Sequence, residues 1–282
     1  MNLRESILFA ITLFSVTASA QRYTISVADA QFSKPLMEKL ITEYNQREHS
    51  LGLEIVSNGD ADAKVTLSYE PNTDTFGRFV VLPIANASSQ LLGNKKVHKG
   101  LNNKLEKQLF VQLSYEETLD NKEKPLSGTI YSQIGSKAFA TNLFAKKLSV
   151  APKKIKGKKI LGSEQNVLTV VQKNSDAVSF NIANVVYDID SRKPVKGIVV
   201  LPVDLDNNDK VSDEERNALS NLDILTSYLN NVPSTSLPVG NLCISSNNEH
   251  LRSFIHWIST EGQAYLKEYG YLKAPSKYIA QK

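Results

Sequence analysis

The fold of this chain is decided by the stretch Gly77-Arg78-Phe79-Val80-Val81-Leu82-Pro83-Ile84-Ala85-Asn86. Its apolar and β-branched residues, closed by a proline and an asparagine, predict a buried strand that ends abruptly. The letters Val-Val-Leu-Pro return at 199–202, which suggests a chain that leaves one lobe, builds a second and comes back. Because pockets at domain interfaces bind small ligands, two such lobes predict a binding cleft between them.

The composition is that of a globular protein with one large domain or two modest ones. Hydrophobic residues make up 41% of the 282 residues and charged residues 22%, a balance typical of packed chains. The net charge of +4 is too mild to indicate nucleic acid as a partner. Two lysine-rich runs, at 95–107 and 146–159, indicate solvated surface, with an anionic partner or a membrane surface as the alternative. The single cysteine, Cys243, is predicted to be an inert buried thiol.

Residues 1–20 have the pattern of a cleavable secretory signal peptide. Arg4 precedes the apolar run Ile7 to Val16, and Ala18-Ser19-Ala20 follows it. We therefore expect cleavage after Ala20 and a periplasmic or secreted protein, with a buried N-terminal helix as the alternative. The run is too short to span a bilayer, and no later stretch is long and apolar enough to do so. Gln21, and not a cysteine, directly follows the cleavage position, so a lipid anchor is not expected either.

The beginning of the mature chain predicts a parallel sheet. A strand at 23–28, a helix that Ser33 opens with Pro35 in its first turn, and a strand at 51–56 give the order strand, helix, strand. This order is typical of an α/β layout, in which the carboxyl ends of strands meet helix N-termini that bind anions. A continuous helix from Gly100 to Leu119 is also expected.

Two strands of the middle region end in a Gly-Ser turn ahead of a helix, at Gly135-Ser136 and Gly162-Ser163. Backbone amides and hydroxyls at such turns solvate anions in many proteins. Ordinary N-capping of the helix explains each pair as well. The two turns are therefore candidate anion sites with a purely structural alternative.

The C-terminal block carries a family resemblance. Ser259-Thr260-Glu261-Gly262-Gln263 lies between two predicted helices and is followed by Gly270-Tyr271-Leu272. Gly270 is expected to end the second helix in the C′ position. This block resembles the C-terminus of extracytoplasmic substrate-binding proteins of ABC transporters, the phosphate-binding proteins in particular. Segments that agree with that family in order are 32–35, 57–59, 77–86 and 162–187. The resemblance implies an α/β fold of the two-lobed type II periplasmic-binding class, with a cleft between the lobes.

The resemblance also implies where each lobe begins and ends. Residues 21–85 and 238–282 would form lobe 1, and residues 86–237 would form lobe 2. The chain would return to lobe 1 at Leu237 to Ser245, so that Val199 to Val203 becomes a strand of lobe 2. Only the stretch 77–86 then keeps its role as a crossing strand.

Carried over by position, the resemblance implies a set of ligand contacts. Lobe 1 would supply Ser33, Ser57 and Asn58, and lobe 2 would supply Ser132, Gln133, Ser136 and Lys137, with Ser163 as a weaker addition. The run 131–137 departs from the family, whose arginine has become Tyr131 and whose proton-accepting aspartate has become Gln133. Lys137 restores a positive charge from a different position.

These residues predict an exported, monomeric solute-binding protein that captures a small oxyanion, with phosphate favoured, for uptake through an ABC permease. The alternative is a secreted adhesion or scaffold module with a degenerate cleft. An enzyme is not expected, because the four histidines are dispersed and the sequence has no Gly-x-Ser-x-Gly elbow, His-x-x-x-His pair or Walker loop.

A second site is predicted at 204–215, where the spacing matches an EF-hand calcium loop. Its ligands would be Asp204, Asp206 and Asn208 at positions 1, 3 and 5, the backbone carbonyl of Lys210 at position 7, and Glu215 at position 12. Position 6, usually glycine, is Asp209. The alternative is a Ser-x-x-Glu capping box, in which Ser212 and Glu215 begin a helix that runs through Leu219, Leu222 and Leu225. No cofactor is expected to be required, and calcium at 204–215 is the one candidate.

Overall fold

The computed structural model describes residues 21–47, 51–56, 60–112, 126–135, 138–232 and 234–275. The predicted signal peptide lies outside this part of the chain. The strands within it are Gln21–Ser26 (β1), Leu51–Val56 (β2), Ala63–Ser68 (β3), Thr75–Asn86 (β4), Thr129–Ile134 (β5), Lys158–Leu161 (β6), Ala177–Ile182 (β7), Ile198–Val200 (β8), Val239–Ser246 (β9) and Leu272–Lys273 (β10).

The helices alternate with these strands, which gives the mixed α/β layout that the sequence predicts. Those within the described residues are Lys34–Arg47 (α1), Lys95–Lys99 (α2), Asn103–Phe110 (α3), Phe139–Lys147 (α4), Glu164–Lys173 (α5), Ala183–Val186 (α6), Asp213–Ala218 (α7), Leu222–Asn231 (α8), Arg252–Ser259 (α9) and Gln263–Leu266 (α10). No helix in this described part of the chain is long and apolar enough to cross a membrane.

The first lobe is built on the strand order β2-β1-β3-β9-β4. Strands β1 and β2 are parallel, with Gln21 opposite Leu51, so the predicted strand–helix–strand start is confirmed. Helix α1 covers this sheet with five buried side chains: Leu36, Met37, Leu40, Ile41 and Tyr44. Their spacing of three and four residues places them on one helical face, which is why this segment forms an amphipathic helix.

The second lobe continues the sheet in the order β4-β7-β5-β6, with β8 beside the end of β4. Strand β5 is parallel to both β6 and β7. All six residues of β7 are buried, as expected for a strand covered on both faces. Strand β8 pairs with Ile84 to Asn86, so the second Val-Val-Leu-Pro copy lies in lobe 2 next to the first.

Strand β4 belongs to both lobes. Its first part, up to Val80, pairs with β9, and its second part, from Val81 to Ala85, pairs with β7. The change of partners lies at Val80–Val81, where the Val81 amide donates to the Pro238 carbonyl at 3.0 Å. The crossing therefore occurs five residues before the predicted lobe boundary at 85, because the sheet of lobe 2 begins in the middle of the strand.

Two helices differ from their predicted extent. Of the helix expected from Gly100 to Leu119, the described residues contain α3, which begins after the Asn102 cap and ends at Val111. The remainder of that prediction, from residue 113, lies outside the described residues. The helix expected from Ser212 through Leu225 is divided into α7 and α8, because the Asn221 side chain caps a new helix through the amides of Asp223 and Ile224.

The C-terminal segment packs on lobe 1. Helix α9 buries Phe254, Trp257 and Ile258, and the Tyr44 ring lies 5.0 Å and 5.5 Å from the Phe254 and Trp257 rings. Gly270 has a φ of 77° in the left-handed region, which confirms the predicted C′ glycine. Cys243 lies buried in β9, as the sequence predicts.

Candidate functional site

A cavity of about 290 Å³ lies between the lobes. Lobe 1 contributes the loop after β1, and lobe 2 contributes the ends of β5 and β6 and the start of α5. The parallel pairing of β5 with β6 sets Ile134 opposite Leu161, so both strands reach the cavity at their carboxyl ends. Crevices outside the carboxyl ends of parallel strands are where open α/β sheets bind ligands. A second cavity of about 530 Å³ shares Phe32, Ser163 and Glu164 with the first.

Gln133 supplies a hydrogen-bond acceptor to the cavity. Its side chain is 2% exposed, and its Nε2 donates to the Gly162 carbonyl at 2.6 Å. Its backbone carbonyl accepts from Thr141 Oγ1 at 2.9 Å, which holds the strand against α4. The Oε1 atom is buried and has no hydrogen-bond partner among the described residues. A buried amide oxygen without a partner is costly, so Gln133 has unused hydrogen-bonding capacity beside the cavity.

Asn184 joins the two lobes beside the larger cavity. Its Nδ2 donates to the Phe32 carbonyl at 3.1 Å and to Tyr271 Oη at 2.8 Å, while Tyr271 Oη donates to the same carbonyl at 3.0 Å. Burial raises the pKa of Tyr271 well above its usual range, so this hydroxyl stays protonated. The Asn184 Oδ1 atom has no partner within the described part of the chain and lies on the wall of the 530 Å³ cavity.

The charged side chains on the described walls of the 290 Å³ cavity are acidic. Glu164 begins α5 and is 9% exposed, and Asp29 lies in the exposed loop after β1. No lysine or arginine is among the described residues that line either cavity. Apolar side chains line the same cavity: Phe32 is half-buried, and Ile134 and Leu161 are 41% and 74% exposed. The cavity thus combines hydrogen-bond acceptors with an apolar wall.

Solved structures with the same architecture establish the fold. A protein assigned as a phosphate ABC transporter substrate-binding protein, with bound phosphate, from Clostridium perfringens is 13% identical, with a TM-score of 0.56 over 90% of this chain and 100% of that one. An ABC-type phosphate transport receptor from Vibrio cholerae is 15% identical, with a TM-score of 0.51 over 89% of this chain and 99% of that one. The protein has the two-lobed type II periplasmic-binding fold.

The periplasmic-binding fold is also shared with a variant of full-length BenM, which is 14% identical, with a TM-score of 0.50 over 92% of this chain and 72% of that one. No protein-family model matches the chain, and no curated protein matches it. At these identities the likeness establishes the architecture, and the ligand must be argued from the residues of the cleft.

Within the periplasmic-binding fold, the predicted ligand contacts separate into three groups. Gln133 and Ser163 line the 290 Å³ cavity. Ser33 and Ser132 are buried away from it, because Ser33 Oγ donates to the Ala30 carbonyl at 2.7 Å and Ser132 Oγ accepts from Lys159 Nζ at 2.9 Å. The remaining contacts lie outside the described residues: Ser57, Asn58, Ser136 and Lys137.

Two acidic residues of the cleft were missing from the predicted set. Asp29 follows the first strand, and Glu164 follows the Gly162-Ser163 turn. Each has a signal in the sequence, since loops at the carboxyl ends of parallel strands form the binding crevice of an α/β sheet. The hydrophobic residues Ile134 and Leu161 gave no such signal, because their letters are typical of ordinary buried strand positions.

The acidic loop 204–215 lies in lobe 2, and three of its carboxylates meet there. Oxygen atoms of Asp204, Asp206 and Glu215 lie within 4.8 Å of one another. Asp209 has a φ of 64°, the left-handed conformation that position 6 of a calcium loop requires and that aspartate tolerates. These three side chains are the described residues that could hold a metal ion, together with Asn208 and the carbonyl of Lys210 as predicted.

Hydrogen bonds within the loop satisfy the same carboxylates. Asp204 accepts from the amides of Asn207 and Asp209 at 2.7 Å and 2.8 Å. Glu215 accepts from the amide of Leu205 at 2.6 Å and from that of Ser212 at 2.7 Å. The predicted capping box of Ser212 and Glu215 is confirmed. The capping box and these backbone hydrogen bonds thus account for the conformation of the loop. Calcium binding stays a prediction.

Proposed function

We propose that this chain is an exported solute-binding protein that captures a small solute between its lobes and delivers it to an ABC permease. The observation that carries the proposal is the 290 Å³ interlobe cavity, in which Gln133 Oε1 is buried without a partner among the described residues. Both lobes contribute walls to this cavity, so a bound solute would hold them together. The predicted signal peptide at 1–20 supplies the route of export.

A small oxyanion, phosphate first, is the solute that the sequence resemblance implies. Two of the similar structures carry phosphate in their descriptions. On this chain, anion binding would depend on Ser136 and Lys137, which directly follow Gly135 of the cavity wall.

Calorimetry on the mature protein, residues 21–282, tests the proposal with phosphate, sulfate and a panel of small organic solutes. We expect one solute to bind per chain. If that solute is an oxyanion, the double variant Ser136→Ala with Lys137→Ala should abolish binding, whereas Lys153→Ala, an exposed lysine outside the cavity, should not change it. A protein that purifies without a solute and gives no heat with any member of the panel contradicts the proposal and favours a secreted adhesion or scaffold module.

A further inference from the structure

A separate cavity of about 460 Å³ lies between the lobes, away from the candidate site. Among the described residues it shares none of its lining with the two cavities of that site. Lobe 1 contributes the loop after β3 and the first half of β4, and lobe 2 contributes the end of α4. The segment 235–239, where the chain returns to lobe 1, completes the wall. The volume is in the range that small organic ligands occupy.

Arg78 reaches this cavity with its side chain. In the sheet, Arg78 pairs with Asn241 of β9 on one side and with Leu272 of β10 on the other. Its backbone is therefore enclosed between two strands, so the part of Arg78 that lines the cavity is the side chain. Residues directly opposite each other in an antiparallel pair point to the same face, and Asn241 lines the same cavity.

The Arg78 guanidinium has no carboxylate partner among the described residues. Its Nε donates to the Lys273 carbonyl at 2.7 Å, and Nη1 and Nη2 make no hydrogen bond within the described part of the chain. Burial lowers the pKa of Arg78, but an arginine titrates so far above neutral pH that the group stays charged. A half-buried charge without a counter-charge is costly, so this group favours an anion beside it.

The other charged side chains of the cavity wall are already paired. Lys146 forms an ion pair with Glu70, which also lines the cavity, and Lys147 forms one with the buried Glu106 behind it. Even with both carboxylates counted, three cations face two anions, and Arg78 is the cation left over.

The neighbours of this wall that lie outside the described residues do not reverse its charge. The segment 276–282 directly follows Pro275 of the wall and has Lys277 and Lys282 but no acidic side chain, and Pro233 is uncharged. The cavity therefore attracts anions.

The rest of the cavity wall suits an organic body rather than a bare ion. Tyr69 is 39% exposed, and its ring stacks on Phe139 across the lobes, with 4.4 Å between the ring centroids. Further apolar side chains line the cavity: Pro71, Leu143, Leu237, Pro238 and Pro275. An inorganic anion would leave this apolar surface in contact with water, whereas a hydrocarbon group would cover it.

From the unpaired guanidinium and the apolar wall we infer that this cavity binds a small organic carboxylate. The carboxylate would accept two parallel hydrogen bonds from Nη1 and Nη2 of Arg78, the geometry in which a guanidinium binds this group. The hydrocarbon body would lie against Tyr69. The site is a second one, remote from the cleft, and goes beyond the proposed function.

Fluorine NMR titrations of the mature protein, residues 21–282, test the inference with three probes that share a ring and differ in charge: para-fluorobenzoate, para-fluorobenzyl alcohol and para-fluorobenzylammonium. We expect the benzoate to bind at least about tenfold more tightly than the alcohol, because hydrogen bonds between two charged groups contribute more than neutral ones. The ammonium probe should bind most weakly, since it carries the charge of the wall. Acetate, which lacks the ring, should displace the benzoate only at much higher concentration.

Two variants of the wall separate the roles of charge and ring. Arg78→Lys keeps the positive charge and loses the two parallel donors, so it should weaken benzoate binding about tenfold and leave the alcohol unchanged. Tyr69→Ala should weaken both probes by the same factor and leave their ratio intact. The matched control is Arg252→Lys, because Arg252 is 78% exposed and pairs with Glu249 outside the cavity. It should leave every affinity unchanged.

A variant of the cleft shows which site the benzoate occupies. The double variant Ser136→Ala with Lys137→Ala, which tests the proposed function, should leave benzoate binding unchanged, because these residues are remote from the Arg78 wall. Thermal denaturation of each variant measures whether it is folded, and an unchanged affinity of Arg78→Lys for the alcohol shows that the cavity is intact.

Three results would overturn the second site. The first is equal binding of the benzoate and the alcohol, or no binding of the benzoate. The second is a benzoate affinity that Arg78→Lys does not change. The third is loss of benzoate binding in the cleft double variant, which would assign the carboxylate to the cleft. None of these results contradicts solute capture in the cleft, which is tested by the solute panel and its own variants.

Discussion

The interlobe cleft and the acidic loop 204–215 both contain buried hydrogen-bond acceptors, yet they differ in how those acceptors are satisfied. In the loop, Asp204 and Glu215 accept hydrogen bonds from backbone amides a few residues away. In the cleft, Gln133 keeps a buried oxygen without a partner among the described residues, next to a carboxylate from another segment. A cluster of acidic residues whose carboxylates accept hydrogen bonds from nearby backbone amides is therefore explained by the structure of the turn itself. Unused hydrogen-bonding capacity between two lobes indicates a place for a ligand.

The largest effect should come from Glu215→Ala, because Glu215 holds the acidic loop together. The carboxylate is fully buried and joins the start of the loop to the cap of α7. Its removal leaves the buried amide of Leu205 without a partner and takes the acceptor from the Ser212 amide, so we expect a loss of about 3 kcal/mol in the free energy of unfolding. Urea denaturation measures this loss.

The control for this variant is Glu214→Ala, since Glu214 is exposed on the same turn of α7. Its effect should stay within about 0.5 kcal/mol. Equal effects of the two variants would show that the hydrogen bonds of Glu215 do not stabilise the loop. The loop could then no longer be distinguished from the cleft by its internal hydrogen bonds.

A smaller loss is expected from Gly162→Ala in the cleft. Gly162 has a φ of 118°, and an added Cβ would lie 2.1 Å from Asn166 Nδ2. Backbone strain together with this contact should cost about 2 kcal/mol. Because the Gly162 carbonyl holds Gln133, solute affinity should fall as well.

Gly93→Ala is the matched control, because an added Cβ there has nothing within 4 Å. Thermal denaturation and calorimetry on both variants measure stability and affinity together. A Gly162→Ala protein that is as stable as the Gly93→Ala protein and binds solute unchanged would contradict the role assigned to this turn.

The smallest expected effect is stabilisation of the acidic loop by calcium. If calcium occupies 204–215 as the spacing predicts, about 5 mM calcium should raise the free energy of unfolding by about 1 kcal/mol, for a site of the affinity typical of extracellular modules. The melting temperature would rise by about 3 °C. Asp206→Asn, at a partly exposed ligand position, should abolish the shift. A wild-type melting temperature that ignores calcium would leave the loop as a capped turn only.

Local patterns in the sequence were enough to predict much of the fold. The apolar run 77–86 predicted β4, the Ser-x-x-Glu spacing predicted the cap of α7, and Gly270 predicted a helix end. Each of these features depends on residues that are close in sequence. The end of α3 was not predicted, because Val111 pairs with Ile155 from a distant part of the chain.

The candidate site was harder to predict than the fold for the same reason. Gln133, Glu164 and Asp29 meet only after two strands and a loop from the other lobe come together. Periodicity cannot show that Ser33 turns its hydroxyl to the Ala30 carbonyl and that Gln133 faces the cavity. The family resemblance identified Gln133 by position, while its unpartnered oxygen became visible only in the structure.

Strand β4 has a consequence for how the protein unfolds. Its 12 residues run for about 40 Å, and each lobe uses one half of the strand as an inner member of its sheet. Neither lobe can unfold while leaving the other intact, because unfolding of one lobe releases one half of β4 and so destabilises the pairing of the other half. Cutting the protein between its lobes would therefore remove a central strand from at least one piece. We therefore expect the two lobes to unfold together, as one cooperative unit.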